Sequence, residues 1–205
     1  MMRKILLACA ASLAFAASGA HAATATDATG DFIPSYTGPF ESDLDVTSFS
    51  ASFDPVHNLF DLSATLAGDI DPTLPGIYVI GANTGTGASS FASIGFPGVK
   101  FNQVMILQKN GTGVVGGHAL TVHINGNEFN LEVPLAFLPS TGAAPIGYSF
   151  NLWPRNGSNQ ISDFAPNNSD LVAVPEPGVW AMMVMGVGLI GSSLRRRRAA
   201  QPSVA

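Results

Sequence analysis

The chain has 205 residues, a single Cys and a formal net charge of −5, with 11% charged and 46% hydrophobic residues. That length suits one domain with appendages, and the composition is too apolar for a solvated disordered chain and lacks the clustered Lys and Arg of a folded nucleic-acid binder. One Cys excludes both a disulfide framework and a Cys-rich metal site.

Residues Met1–Ala22 have the pattern of a secretory signal peptide. Arg3 and Lys4 supply the positive start, Ile5–Ala17 an apolar core, and Ala20-His21-Ala22 a small-x-small site for signal peptidase, so the mature chain begins at Ala23. The apolar run is shorter than the ~20 residues that span a bilayer, which argues against an uncleaved anchor. Cys9 falls in the discarded piece.

The body, Ala23–Val174, carries three basic residues, Lys100, Lys109 and Arg155, against 13 carboxylates. Such an acidic surface repels nucleic acid and anionic lipid. Its 17 Gly and 11 Pro leave no long window for a helix. Alternation is plentiful instead. Phe49, Ala51 and Phe53 alternate with Ser48, Ser50 and Ser52; after the turn Asp54–Asn58, Phe60, Leu62, Ala64 and Leu66 alternate with Asp61, Ser63 and Thr65. This pattern predicts a hairpin with one buried face. Ile77–Ile80 and Val104–Leu107 read as short buried strands, and Tyr148–Trp153 as another, ended by Pro154.

Asn125-Gly126 inside Leu120–Val133 predicts a second hairpin with a type I′ turn. That turn pairs Val122 with Phe129 and Leu120 with Leu131 on one face, and His123 with Glu128 on the other. About seven or eight short strands between turn signals predict an all-β fold, an antiparallel β-sandwich of jelly-roll or Ig-like style. The Ser/Asn/Pro-rich stretch after Gly157 reads as a tether in which Ile161–Ala165 is packed.

Candidate chemistry in the body is sparse. His118 and His123 are five apart, which on one strand puts them on opposite faces and not in a shared metal site. Asp43 with Asp45, and Asp69 with Asp71, are i, i+2 pairs near turns. The expected reading is ordinary Asp turn chemistry, with a Ca²⁺ site fed by loop oxygens as the alternative; no cofactor and no other metal is expected. There is no Gly-x-Ser-x-Gly elbow and no Cys in the mature chain, so the body is read as non-enzymatic. Trp153 falls opposite Phe150 and Leu152 in strand parity, and with Arg155 and Asn156 it forms a candidate carbohydrate platform, with the aromatic residues as plain core the competing reading.

The far end is more specific. Pro175-Glu176-Pro177 cannot join a helix, because Pro fixes φ and lacks an N–H. The apolar stretch Val179–Leu194 comes next, as a helix about 24 Å long against a hydrocarbon core of ~30 Å. Trp180 sits at its outer end, and Arg195, Arg196, Arg197 and Arg198 close the inner end, where the positive-inside rule holds them in the cytoplasm. Residues 199–205 are a short cytoplasmic tail.

Pro-Glu-Pro, a two-residue spacer, Trp180-Ala181, an apolar helix and an Arg cluster together resemble the PEP-CTERM sorting signal in its PEPxxWA variant. The resemblance covers the last 30 residues or so. It implies recognition by an exosortase, a membrane-embedded cysteine protease, with removal of the sorting signal (175–198) and the cytoplasmic tail by a cut near Pro175–Pro177. It also implies passage of the body from an inner-membrane intermediate, ectodomain in the periplasm, to the cell surface or an exopolysaccharide matrix. The expected role is structural or adhesive. A carbohydrate-binding module is one rival reading. A bitopic periplasmic protein that keeps its anchor is the other.

Overall fold

A computed structural model describes residues 22–157 and 160–175. In chain order the strands are β1 (Ala23–Thr26), β2 (Val46–Asp54), β3 (Leu59–Leu66), β4 (Ile77–Asn83), β5 (Gln103–Gln108), β6 (Thr112–Val115), β7 (His118–Thr121), β8 (His123–Asn125), β9 (Glu128–Pro134), β10 (Ser149–Arg155), β11 (Leu171–Val172) and β12 (Val174–Pro175). They form two six-stranded sheets. The first runs β1-β2-β3-β9-β8 with β12 also on β2; the second runs β11-β10-β4-β5-β6-β7. Every pairing is antiparallel except β12 on β2, which is parallel. The all-β expectation and the antiparallel pairing hold, with more and shorter strands than the turn signals suggested. Among the described residues no helix is long and apolar enough to cross a membrane. The signal peptide and the helix expected over Val179–Leu194 lie outside the described residues.

The two sheets face each other across one apolar core. Phe49, Phe60, Leu62, Phe129 and Leu131 enter it from the first sheet, and Tyr78, Ile80, Met105, Phe150 and Leu152 from the second. Rings meet across the gap: Phe60 and Phe150 are 5.1 Å apart between centroids, as are Tyr78 and Phe129. Edge-to-face and offset contacts of this kind are favoured by the ring quadrupole.

The first hairpin forms as the alternation dictates. β2 and β3 pair Asp54 with Leu59, Phe53 with Phe60 and Ala51 with Leu62. Asp54 Oδ1 accepts the Val56 and His57 amides at 2.7 and 3.1 Å, and Asn58 takes φ +55°, so polar turn residues close the loop.

The second hairpin departs from expectation in two ways. β8 and β9 pair Asn125 with Glu128, Ile124 with Phe129 and His123 with Asn130. The loop is therefore Gly126-Asn127, with the positive φ (+60°) on its first residue, which is a type II′ arrangement and not type I′. Sliding the loop by one residue moves both strands together, so strand parity survives and the apolar residues stay on the core face. The His123–Glu128 pair is not formed. In addition, the expected single strand is two. β7 pairs with β6, placing Leu120 against Gly113 in the second sheet, and the chain then crosses at the buried Val122 to join the first sheet as β8. Strands that switch sheets in this way make the corners of a sandwich.

Pro154 does not end β10; it pairs with Tyr78 of β4. Its carbonyl accepts the Ser162 amide at 3.1 Å, so the side of Pro154 that lacks an N–H faces the 161–165 segment and leaves the β4 ladder intact.

The second sheet is covered on its outer face too where β4 and β10 lie, while β5 and β6 leave Val104 and Val114 exposed there. Val79 and Trp153 point there, and Ile33, Tyr36, Val99 and Phe164 from three loop segments bury them in a smaller second core.

Candidate functional site

The chain's exit from the domain is built by residues 160–175. Leu152 and Ala165 exchange both backbone hydrogen bonds at 2.8 Å. Asn151 Nδ2 donates to the carbonyls of Pro166 and Ser169, each at 2.7 Å. Asp170 accepts the Lys100 amide at 3.0 Å and the Ser149 hydroxyl at 3.2 Å. β11 then adds to β10, and Val174 and Pro175 align with Ser52 and Phe53 of β2. The stretch from Ile161 to Pro175 is thus no free tether. Its Asn, Ser and Asp groups satisfy backbone donors and acceptors, and Phe164, Ala165 and Ala173 are buried, which composition alone does not reveal.

The two ends of the body meet at this exit. Ala23 pairs with Ala51, and Val174 with Ser52. The opposite edge of β2 is taken by β3, so β1 and β12 follow one another along the same edge. The expected signal-cleavage residues Ala22 and Ala23 and the first residue of the Pro-Glu-Pro motif therefore leave the domain at one place. Ala20, Glu176, Pro177, Trp180, Ala181 and Arg195–Arg198 lie outside the described residues.

The carboxylates sort differently from the i, i+2 expectation. Asp43 and Asp45 diverge. Asp43 is buried and ion-pairs with the equally buried Lys109 at 2.7 Å, with Glu41 at 3.7 Å from the same ammonium. Asp71 donates its amide to Asp43 and closes its own turn with Thr73, and turn hydrogen bonds hold its carboxyl below the usual range. Asp45 points instead to the loop after β1, where its Oδ2 accepts the Gly30 amide at 2.7 Å. That loop holds Asp27 and Asp31, and Asp163 joins them from the C-terminal segment; one carboxylate oxygen of each of these three lies within 4.8 Å of the others. Asp163 is itself anchored by the amides of Val46 (2.8 Å) and Phe164 (2.7 Å). Burial first, then the neighbouring acids, push Asp163 up to about 7 and Asp27 up to about 6, and burial raises Asp45.

No sequence motif singles out Asp27, Asp31 and Asp163. The first two sit four apart, and the third is brought to them by tertiary contact alone. The only sequence signal is the excess of acid over base in the body.

The carbohydrate platform is overturned for its central residue. Trp153 lies opposite Phe150 and Leu152 as parity requires, but it is 1% exposed, packed against Phe91 and Phe101 at centroid distances of 5.0 and 4.8 Å. A buried ring offers no face to a sugar. Arg155 is half-buried, and Asn156 is buried with its Oδ1 accepting the Gln160 amide. The histidines are dispersed: His57 contacts Asp54 in the first turn, His118 stacks on Phe137 at 4.2 Å, and His123 lies on the other sheet. Nothing brings them to a common centre.

Comparison with known proteins places one segment. The family model described as the PEP-CTERM protein-sorting motif matches residues 173–198. No curated protein and no solved structure matches the chain. The match begins at Ala173, one residue before β12, so the motif starts where the folded body ends. The motif implies exosortase-dependent sorting of an exported protein, and this chain therefore carries a PEP-CTERM sorting motif on a two-sheet, all-β body.

Proposed function

We propose that the body is a non-enzymatic structural or adhesive component of the cell surface or exopolysaccharide matrix. It is exported by its signal peptide, held at the inner membrane by the C-terminal helix with the ectodomain in the periplasm, and cut by an exosortase at Pro175–Pro177. The observation that carries this reading is the contiguity of the sorting motif with the last strand of a packed domain. The domain's two ends leave from neighbouring positions on β2, which lets one end of the sandwich face the bilayer before and after signal cleavage. A body with 13 carboxylates and three cations stays soluble and repels anionic lipid once released.

The test is the mass of the mature protein. In a host with the exosortase, the recovered chain is expected to begin at Ala23 and to lack Arg195–Arg198. In the same host without the enzyme, the Arg segment should be retained in the inner-membrane fraction. Retention of the segment in both hosts would establish a persistent anchor and overturn the sorting reading.

A further inference from the structure

Among the described residues Lys109, just after β5, is the only buried cation, with 5% of its surface exposed. Its ammonium meets two carboxylates from the segment that leads into β2. Asp43 Oδ2 stands 2.7 Å away and Glu41 Oε2 3.7 Å away. Asp43 is 2% exposed, and Leu44 and Tyr78 beside it are sealed. The close contact does not meet hydrogen-bond angles: Lys109 Nζ, Asp43 Oδ1 and Glu41 Oε2 are all buried with no hydrogen-bond partner among the described residues. Buried ions in this state are costly, because the attraction of a pair repays desolvation only when the remaining polar atoms are satisfied. The surroundings nevertheless hold both groups in place. The Asp71 amide donates to Asp43 Oδ2 at 3.1 Å, and the Tyr78 hydroxyl to the Asp43 carbonyl at 3.0 Å. Gly76 lies against the lysine stem, where a Cβ would come within 2.9 Å of Cε.

We propose that Lys109 and Asp43 condense to an intramolecular isopeptide bond, with Glu41 as the proton relay. The ammonium passes one proton to Asp43 Oδ1, and the neutral amine attacks Asp43 Cγ, forming the Nζ–Cγ bond. Glu41 takes a second proton from Nζ and delivers it to Oδ1. The Cγ–Oδ1 bond breaks, and Oδ1 leaves as water. Oδ2 stays as the amide oxygen, and the Asp71 N–H that it already accepts stabilises its charge in transit, as an oxyanion-hole donor does. One ammonium and one carboxylate become one neutral amide and one water, with no oxidant or cofactor. Two charges thereby leave apolar surroundings, and the fixed proximity of the two groups supplies the rate. The bond joins the end of β5 in the second sheet to the segment entering β2 in the first. Such a link restrains the unfolded chain as a disulfide does, in a mature body that has no Cys. It is separate from the sorting motif and does not depend on the exosortase reading.

The experiment takes the full exported chain, purified in detergent and then unfolded, digests it with trypsin and weighs the products. The body's cleavage sites are Lys100, Lys109 and Arg155. Trypsin does not cut at an acylated lysine, so the bond yields one branched species: the peptide ending at Lys100 joined to 101–155, lighter than their sum by one water. Without the bond, 101–109 and 110–155 appear as separate peptides. Glu41→Gln preserves the size of a part-buried side chain and should lower the branched fraction at least tenfold, with the far-UV spectrum unchanged. Lys109→Arg keeps the charge and should abolish the branched species. Separate peptides from the unaltered chain overturn the bond, and this outcome needs no variant. A branched species that survives in Lys109→Arg also overturns it, and a smaller than tenfold fall in Glu41→Gln overturns the relay.

Discussion

The two sheets are built from the same alternating pattern yet end with opposite outer faces. On the first, Ser48, Ser50, Ser63 and Thr65 are partly exposed, and Glu128, Asn130 and Glu132 of β9 are exposed, while the residues between them fill the core. On the second, β4 and β10 are buried on both faces, because Val79 and Trp153 meet Ile33, Tyr36, Val99 and Phe164. An antiparallel sheet normally wets one face. Here β4 and β10 escape that rule because loop segments, not a third layer of regular structure, supply the cover. The lesson is that side-chain parity says which face a residue takes, and says nothing of whether water reaches that face.

The largest expected effect breaks this contrast from the covered side. Trp153→Ala should cost about 3–5 kcal/mol in urea unfolding, because it removes the largest ring of the second core. A cost below about 0.5 kcal/mol, the range of an ordinary surface substitution, would mean the loops do not pack on the sheet. The edge of the first sheet offers the next effect. Each backbone hydrogen bond between β12 and β2 is worth about 1 kcal/mol, and a cut at Pro175–Pro177 as proposed requires the exosortase to withdraw Pro175 from that pairing. Inserting Gly-Ser-Gly-Ser between Val174 and Pro175 frees the motif, so cleavage in pulse-chase labelling should quicken severalfold. An unchanged rate would show that strand pairing does not limit processing.

Gly126→Ala should cost about 1–2 kcal/mol, since φ +60° carries a steric penalty for any residue with a Cβ. The hydrophobic register of β8 and β9 should survive it, read as an unchanged unfolding slope. The smallest effect belongs to the wet face. Ser63→Ala on β3 should change stability by less than about 0.5 kcal/mol. An effect as large as that of Trp153→Ala would show that both outer faces are covered alike.

Legibility in the sequence follows the length scale of each interaction. The β2–β3 hairpin is readable because turn, alternation and pairing all fall within Val46–Leu66. The β8–β9 hairpin is readable but its turn type and position are not: Asn125, Gly126 and Asn127 offer two overlapping two-residue loops, and the observed one puts Gly126, which tolerates positive φ, first. The switch of sheets at Val122 leaves no local mark, since a strand that changes partners keeps the same alternation. Parity gives Trp153 the correct face but not its burial, because Phe91, Phe101 and Phe164 lie in loops without periodicity, the first two of them far away in the chain. Spacing groups Asp45 with Asp43, whereas its hydrogen-bond partner in the fold is the Gly30 amide.

The chain's own residues determined its all-β class, its first hairpin and its C-terminal sorting motif, because alternation, turn chemistry and a proline-bounded apolar tail act over neighbouring positions. Tertiary structure alone decided that the exit segment is a strand pair, that Trp153 is sealed, and that Asp163 meets Asp27 and Asp31 from the far end of the body. These depend on contacts between segments that are mostly far apart in the chain, where the closure of the fold, and no local pattern, selects the partner.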